Sequence, residues 1–421
     1  MSDILFEEFL NPDRWATEIE IARLKGIRES LLRKLVEPLN RAYLSLTIRE
    51  GKYKISPPRQ QLIPKDNGKF RTVYINEDLD RIVLSLINNI LMDLCSDWIH
   101  PSCMSYQKGI GTGKAVKRVS RWITNGNDNH VGYKTDLSKY FDSVPIRLID
   151  EVFDKLEAKF GKSSIIDLLR NYYHSDLCFD LEGNLIQHYQ SLKQGCATAS
   201  FLANVLLRDV DEKMTELCKR QYIRYSDDML FICENPDRVL KRLRTMLQAK
   251  GLTLNPDKVE PVYKDRWVKF LGFSIKGDKI TLSKNRLKNF QKEIEKRTIG
   301  NRNATLKSAR NSVNHYLYKG YGKEGYCWAT SVLLVVNCED DIDELNKFVM
   351  DCLRAVETGK RKVGGLGYEH HENGVITRGK GRNVAANRKK VKRIEGYYTI
   401  RCMWNDINIC RAVYDAVVRQ M

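Results

Sequence analysis

The chain has 421 residues, 42% of them aliphatic, aromatic or sulphur-bearing, which is enough for a buried core and for two or three domains and excludes wholesale disorder. No run approaches the roughly 18 apolar residues that span a bilayer, and the opening MSDILFEEFL is acidic where a signal peptide is basic, so a soluble, unprocessed chain without a membrane partner is expected. Seventy-one Lys and Arg against fifty-three Asp and Glu leave +18, and nearly the whole surplus lies in residues 284–310 and 360–401, a segregation that points to a polyanion partner.

The first fifty residues read as helices, with Ile21, Leu24, Ile27, Leu31, Leu32 and Leu35 at helical spacing. After Pro57-Pro58, QLIPKDNGKFRTVYI forms two strand-like runs about Asp66-Asn67-Gly68, a hairpin carrying Lys65, Lys69 and Arg71. DRIVLSLINNILMDLC is a helix, and the loop-rich HPSCMSYQKGIGTGKA leads into another. VGYKTDL is a strand that Asp136 ends; Ser143 and Pro145 open a helix whose Ile146, Ile149, Phe153 and Leu156 share a face. A second helix follows, then a hairpin at Glu182-Gly183-Asn184 and one long helix from about Ala197 to Lys219. YIRYSDDMLFIC is two strands about a polar tight turn, Asn235-Pro236 starts a helix that Gly251 ends, and LTLNPDKVEPVY returns as a strand. The order is β-α-β-β-α-β, the split βαβ arrangement, which brings the first strand beside the central hairpin. KNRLKNFQKEIEKR, SVLLVVN and ELNKFVMDCLRAV read as helices. The eleven cysteines include no CxxC pair and no zinc spacing, so reduced, buried thiols in the cytoplasm are expected.

That adjacency brings Asp136 to the turn that holds Asp227 and Asp228. Three carboxylates at one sheet edge repel unless cations join them, and hard oxygen donors select Mg²⁺ or Mn²⁺, two ions being able to bracket an in-line phosphoryl displacement. An isolated Asp-Asp pair would be an ordinary polar turn. GIGTGKA, from Gly109 to Ala115, looks like a phosphate loop but is one residue short and lacks a Ser or Thr after the Lys. His370-His371 has no third ligand at metal spacing and is expected to be a solvated loop.

TDLSKYFDSV, QGCATASFLAN, YSDD and VKFLGFSI, in this order and spacing, resemble the palm motifs of reverse transcriptases, with a likeness spanning about residues 60 to 290. The resemblance implies an α+β right-hand polymerase: an N-terminal helical region (1–56), fingers (57–130), a palm with the split βαβ sheet (131–280, with a fingers insert at about 150–190), a helical thumb (281–358) and a basic C-terminal extension (359–421). It makes Asp136, Asp227 and Asp228 the catalytic and metal-binding acids for two Mg²⁺ or Mn²⁺ ions. Phe141 falls where the family places a gate against a ribose 2′-hydroxyl, with a core aromatic as the alternative. Gln194 and Gly195 match a turn near the incoming nucleotide, although Ala197 stands where Pro is usual and Ala199 where Ser is usual. Lys258 in NPDK matches a Lys that could protonate leaving pyrophosphate, and a solvated lysine is the alternative. Lys65, Lys69 and Arg71 lie where the triphosphate is held, Arg71 foremost because guanidinium is bidentate to phosphate. Leu271-Gly272 resembles the primer grip, Gly111, Gly113 and Lys114 would touch template RNA backbone, and Lys284 and Arg286 open the duplex-gripping thumb.

Nothing resembles a maturase endonuclease or RNase H, and the retron Val-Thr-Gly motif is missing; the chain looks most like the stand-alone, unknown-group or defence-associated bacterial enzymes. Such an enzyme would copy a companion non-coding RNA into cDNA from dNTPs and protect against bacteriophage. Retron-like or intron-derived enzymes, an RNA-templated RNA polymerase and an RNA-binding scaffold on an inactive fold are the alternatives. In the tail, RGKGRNVAANRKKVKR has no acid, with Tyr397-Tyr398 beyond it as stacking platforms; Arg388, Lys389, Lys390, Lys392 and Arg393 are expected to anchor the RNA.

Overall fold

The computed structural model describes residues 3–65, 68–126, 130–319, 327–359, 361, 369–370, 376–377, 400 and 404. Four helices come first, α1 (Ile4–Leu10), α2 (Pro12–Leu24), α3 (Glu29–Val36) and α4 (Pro38–Arg49), followed by β1 (Arg59–Pro64), β2 (Phe70–Ile75), α5 (Asp78–Leu94) and α6 (Thr112–Thr124). Next are β3 (His130–Asp136), α7 (Tyr140–Ser143), α8 (Ile146–Phe160), α9 (Ser164–His174), β4 (Leu177–Phe179) and β5 (Leu185–Gln187). The helices α10 (Ala199–Val205) and α11 (Arg208–Leu217) precede β6 (Tyr222–Tyr225), β7 (Asp228–Ile232), α12 (Pro236–Ala249) and β8 (Glu260–Tyr263). The chain continues through β9 (Val268–Phe270), β10 (Phe273–Lys276), β11 (Lys279–Leu282), α13 (Lys284–Arg297), α14 (Leu306–Tyr318), α15 (Trp328–Ser331) and α16 (Glu339–Thr358), then β12 (Glu369–His370) and β13 (Ile376–Thr377).

These elements divide into two compact units, residues 1–107 with 134–260 and residues 108–133 with 261–421. The strand order β6-β7-β3-β8 is the one a split βαβ motif requires, with β3 beside the β6–β7 hairpin. In the first unit, β1 and β2 pair antiparallel from Arg59↔Ile75 to Pro64↔Phe70, and β4 adds to β1 in parallel through Arg59↔Phe179. Side chains cap several helices: Asp3 accepts from the Phe6 amide, Asn11 from those of Asp13 and Arg14, and Ser163 from that of Ile165, but Ser143, expected to open α8, instead ends α7, and α8 starts after Pro145 without a side-chain cap.

The helix expected from Ala197 to Lys219 is two helices, broken at Leu206-Leu207. The cause is Arg224 on β6, whose guanidinium is fully buried. Its Nη1 donates to the Ala203 carbonyl at 3.0 Å and its Nη2 to that of Asn204 at 2.8 Å. Those carbonyls would otherwise take the Leu207 and Arg208 amides and carry the helix on. Nε and Nη2 also clasp Asp211 on α11 at 2.8 and 2.6 Å, and the Tyr222 hydroxyl donates to the same carboxylate at 2.9 Å. Both charges are sealed from water, so each depends on the other.

The second unit holds the sheet β11-β10-β9, with Ser283 capping α13 and a Thr305–Ser308 capping box starting α14. Phe290 stacks on Trp328 with ring centroids 4.9 Å apart. SVLLVVN is not the helix expected: α15 ends at Ser331 and a single 3₁₀ turn spans Leu333–Val335. Its β-branched valines weaken helix continuation, and the Asn337 side chain accepts from the Ile280 amide and donates to the Asp278 carbonyl. His370 is corrected from loop to strand, pairing with Ile376. His371 lies outside the described residues, as do Arg388, Lys389, Lys390, Lys392 and Arg393. Among the described residues no helix is long and apolar enough to cross a membrane. The described cysteines are all free, most of them buried.

Arg224→Met should strand the Asp211 carboxylate and lower stability by about 3–5 kcal/mol in urea unfolding, whereas the double change Arg224→Met with Asp211→Leu should recover most of the loss. Equal destabilisation by the single and double variants would contradict the mutual dependence.

Candidate active site

Asp136 is the last residue of β3, and Asp227 and Asp228 occupy the turn and first position of the neighbouring strand, so the sheet order alone gathers them. The turn is tied down on both sides. The Leu137 amide donates to the Asp227 carbonyl at 3.1 Å, and the Asn255 amide to the Asp136 carbonyl at 2.8 Å. Arg224 Nη1 reaches the Ser226 carbonyl at 3.3 Å from beneath.

The carboxylates are held close at an electrostatic cost. Burial, then the charge of Asp136, raises Asp227 above the ordinary carboxylate range, with Lys258 and Arg71 opposing. Burial, then the charge of Asp227, pushes Asp228 up to about 6. Lys258 relieves part of this: its Nζ lies 2.7 Å from Asp136 Oδ2. Burial would lower the Lys258 ammonium, but the hydrogen bond to and charge of Asp136 outweigh it and raise the group. An ammonium thus stands against a carboxylate group that calls for a cation.

Among the described residues no three His, Cys, Asp or Glu side chains are gathered into a ready metal cage. The donor set nevertheless fits a hard divalent ion: carboxylate oxygens crowded together, with Asp227 and Asp228 raised and a cation already drawn to Asp136. Mg²⁺ is usually held by one or two carboxylates plus substrate phosphates, so an incomplete protein shell is the expected form.

The residues expected around these acids fall in the same unit. Lys65 and Arg71 flank the β1–β2 turn, where the Lys65 amide donates to the Lys69 carbonyl at 2.7 Å. The charge of Arg71 lowers Asp227, and those of Lys65 and Arg71 lower Asp142, whose carboxyl is nonetheless raised by burial. Phe141 is only half-buried and meets Tyr140 edge-on at 5.7 Å; Tyr140 takes the core position instead, its hydroxyl donating to the Ala203 carbonyl. The Tyr74 amide on β2 donates to the Gln194 carbonyl at 2.7 Å. Gly195, at φ +113°, lies so near β2 that a Cβ would stand 2.8 Å from the Tyr74 carbonyl oxygen, so only glycine fits.

The other expected positions belong to the second unit. Gly113 packs against Val335, where a Cβ would approach Cγ2 to 2.5 Å; close packing accounts for this glycine without a ligand. Gly111 is the N-cap of α6, Lys114 is exposed, and Lys284 is the first residue of α13. Leu271 and Gly272, at φ +49° and +81°, turn β9 into β10. Arg286 covers Gly272 and lies 4.3 Å from the Phe273 ring centroid.

Sequence reasoning missed several supporting groups. Lys193 is buried, donating to the Ser175 carbonyl at 2.7 Å and to Gln190 Oε1 at 2.9 Å, and desolvation pulls it down to about 8. It braces the loop that carries Gln194. Lys134 pairs with Glu260 at 3.1 Å, and its charge lowers Asp228. Asn204 joins Ser105 through two bonds, of 2.7 and 2.8 Å. A run of polar residues inside otherwise apolar stretches is the only sequence signal these groups leave.

The family model for reverse transcriptase (RNA-dependent DNA polymerase) matches residues 63–275. The chain is similar to the putative COX1/OXI3 intron 2 protein of Saccharomyces cerevisiae, 23% identical over 215 residues, which is 47% of this chain and 21% of that protein. It is also similar to protein YkfC of Escherichia coli, 23% identical over 168 residues, 39% of this chain and 43% of the relative. The chain therefore spans less than half the length of these curated relatives. Among solved structures, telomerase from Candida albicans in complex with a fragment of telomeric RNA aligns over 75% of this chain and 56% of its own, with 13% identity and a TM-score of 0.45. Apo telomerase from Candida tropicalis aligns over 73% and 59%, with 15% identity and a TM-score of 0.44.

In metal-free protein, Asp228 has a higher pKa folded than unfolded, so the stability linked to this group is present at low pH and lost as pH rises through about 6. Asp228→Asn should therefore raise the Tm in EDTA at pH 7.5 by roughly 2–4 °C, the effect of about 1 kcal/mol in a domain of 150–250 residues, and leave it unchanged at pH 4. A drop at pH 7.5 would contradict the electrostatic account.

Proposed function

The chain belongs to the reverse transcriptase (RNA-dependent DNA polymerase) family, and from that premise we propose that it copies RNA into DNA by two-metal nucleotidyl transfer. The observation that carries the proposal is the convergence of Asp136, Asp227 and Asp228 at one sheet edge, with the Lys258 ammonium 2.7 Å from Asp136. Asp136 and Asp227 would hold Mg²⁺ or Mn²⁺ ions, with Asp228 as the third acid. When bound, two such ions lower the pKa of the attacking hydroxyl and offset the charge that develops on the phosphates.

The chain's own residues supply the rest. Arg71, Lys65 and Lys69 hold the triphosphate of a dNTP, and Phe141, free of the core role that Tyr140 takes, excludes a 2′-hydroxyl. The Gln194-Gly195 loop lies against β2 and lines the nucleotide side. Lys258, an ammonium beside Asp136 before substrate arrives, turns to the phosphates and gives its proton to pyrophosphate as the primer 3′-oxygen bonds to the α-phosphorus. In this reading residues 57–130 act as fingers, 131–280 as palm with an insert at about 150–190, and 281–358 as thumb. Leu271, Gly272, Lys284 and Arg286 then contact primer and duplex, and Gly111, Gly113 and Lys114 the template backbone.

The template we propose is a companion non-coding RNA, held by the basic residues after 359, and the setting is bacterial defence against bacteriophage. The segregated positive charge supports the RNA partner. Intact acids and a half-buried Phe141 weigh against an inactive scaffold.

Asp227→Asn should retain the co-purifying RNA while losing both its cDNA and all labelled dNTP incorporation, because one anionic ligand is gone and the fold is not. Sequencing the bound nucleic acids alongside primer extension checks this; extension near the wild-type rate would refute the metal assignment. Phe141→Ala should keep dNTP use measurable and raise rNTP incorporation, and an unchanged dNTP/rNTP ratio would return Phe141 to core packing.

A further inference from the structure

The register Tyr225↔Asp228 makes the catalytic turn a two-residue hairpin loop, Ser226-Asp227. Ser226 has φ +61°, and Asp227 is not among the left-handed residues. A positive φ at the first loop residue alone is the requirement of a type II′ turn, which hairpins usually meet with glycine. A serine there is strained unless its surroundings hold it.

The holding group is on the page. The Ser226 hydroxyl is buried and lies 3.2 Å from the Tyr106 hydroxyl. Tyr106 is itself left-handed, at φ +56°, and the residue is 46% exposed, so it is not there to fill the core. Its backbone is fixed from the preceding residues. The Met104 amide donates to the Arg224 carbonyl at 2.8 Å and the Arg224 amide to the Ser102 carbonyl at 2.9 Å, which runs this segment along the edge of β6. Ser105 is bonded in both directions to the buried Asn204. Two strained residues, one on a braced loop and one in the catalytic turn, thus meet through a single hydroxyl pair.

We propose that Tyr106 is a positioning residue of this site: its hydroxyl holds Ser226 in the left-handed conformation and thereby fixes the direction from which Asp227 leaves the hairpin. The inference rests on the nucleotidyl-transfer reading above. It deepens that reading by adding a residue outside the acidic motifs. Ser226 matters through its backbone, with its hydroxyl serving as the handle.

The test compares Tyr106→Phe, Ser226→Ala, their double variant, Ser226→Gly, and Ser226→Gly with Tyr106→Phe, each with its Tm recorded. Tyr106→Phe and Ser226→Ala should each lower kcat about tenfold, equivalent to about 1.4 kcal/mol of transition-state stabilisation, with the dNTP KM within roughly twofold of wild type. The double variant should be no worse than either single one, because both remove the same bond. Ser226→Gly adopts the turn without help, so adding Tyr106→Phe to it should change kcat less than about twofold relative to Ser226→Gly alone. Apart from activity, Mn²⁺ titration followed by electron paramagnetic resonance, without substrate, should give weaker binding in Tyr106→Phe and normal binding once Ser226→Gly is added. The proposal is overturned if Tyr106→Phe matches wild type, if the single losses multiply in the double variant, or if Ser226→Gly fails to spare Tyr106→Phe. If wild type itself extends no primer, the polymerase reading fails, and the Mn²⁺ titration still decides the role of Tyr106.

Discussion

The Arg224 guanidinium makes five hydrogen bonds inside the protein: two to Asp211 and one each to the carbonyls of Ala203, Asn204 and Ser226. A cation with no access to water has to be satisfied this completely, and the chain is shaped to do it. The helix after the Gln194-Gly195 loop breaks to release two carbonyls, α11 brings one carboxylate, and the catalytic turn lends its first carbonyl. The strand that bears Arg224 therefore cannot shift without disturbing every element that reaches the acids. An apolar residue of similar size could pack in that space, but it would leave the turn without a support from below.

Above that support the electrostatics run the other way. Asp227 and Asp228 are raised by burial and by neighbouring negative charge, and Lys258, which bonds Asp136, offsets only part of that rise. The site is thus stable in its protonated or cation-bound forms and strained when empty at neutral pH. That imbalance is a stability cost kept at the place where function calls for a cation, and the left-handed Ser226 is a second cost at the same turn. Both costs are carried by the rigid sheet and the buried network beneath it.

The sheet and its acids were legible because each rests on a local signal. Short apolar, aromatic-rich runs placed β3, β6 and β7, the polar turn residues placed the hairpin, and the split βαβ order then brought Asp136 to Asp227 without any structural knowledge. What could not be read depends on partners distant in sequence. The break at Leu206-Leu207 has no Pro or Gly to announce it; its cause lies on β6, in the carbonyls Arg224 claims. SVLLVVN carries an apolar pattern compatible with a helix, and the bonds of Asn337 to the β10–β11 region stop it. Gly113 looked like part of a phosphate loop, but the contact that demands glycine there is Val335. Tyr106 sat in a loop-rich stretch with nothing to mark it, since neither a left-handed φ nor a hydroxyl pairing leaves a pattern along the chain.

The central claim is that these carboxylates form a cation-dependent nucleotidyl-transfer site beside which the Lys258 ammonium serves the leaving pyrophosphate. Anomalous diffraction from crystals of the protein with a primed RNA template, a non-hydrolysable dNTP and Mn²⁺ tests it most directly. The account predicts manganese peaks against Asp136 and Asp227, with Lys258 Nζ moved off Asp136 toward the phosphates. Nucleotide bound elsewhere, or no manganese at these acids while Lys258 stays on Asp136, would contradict it.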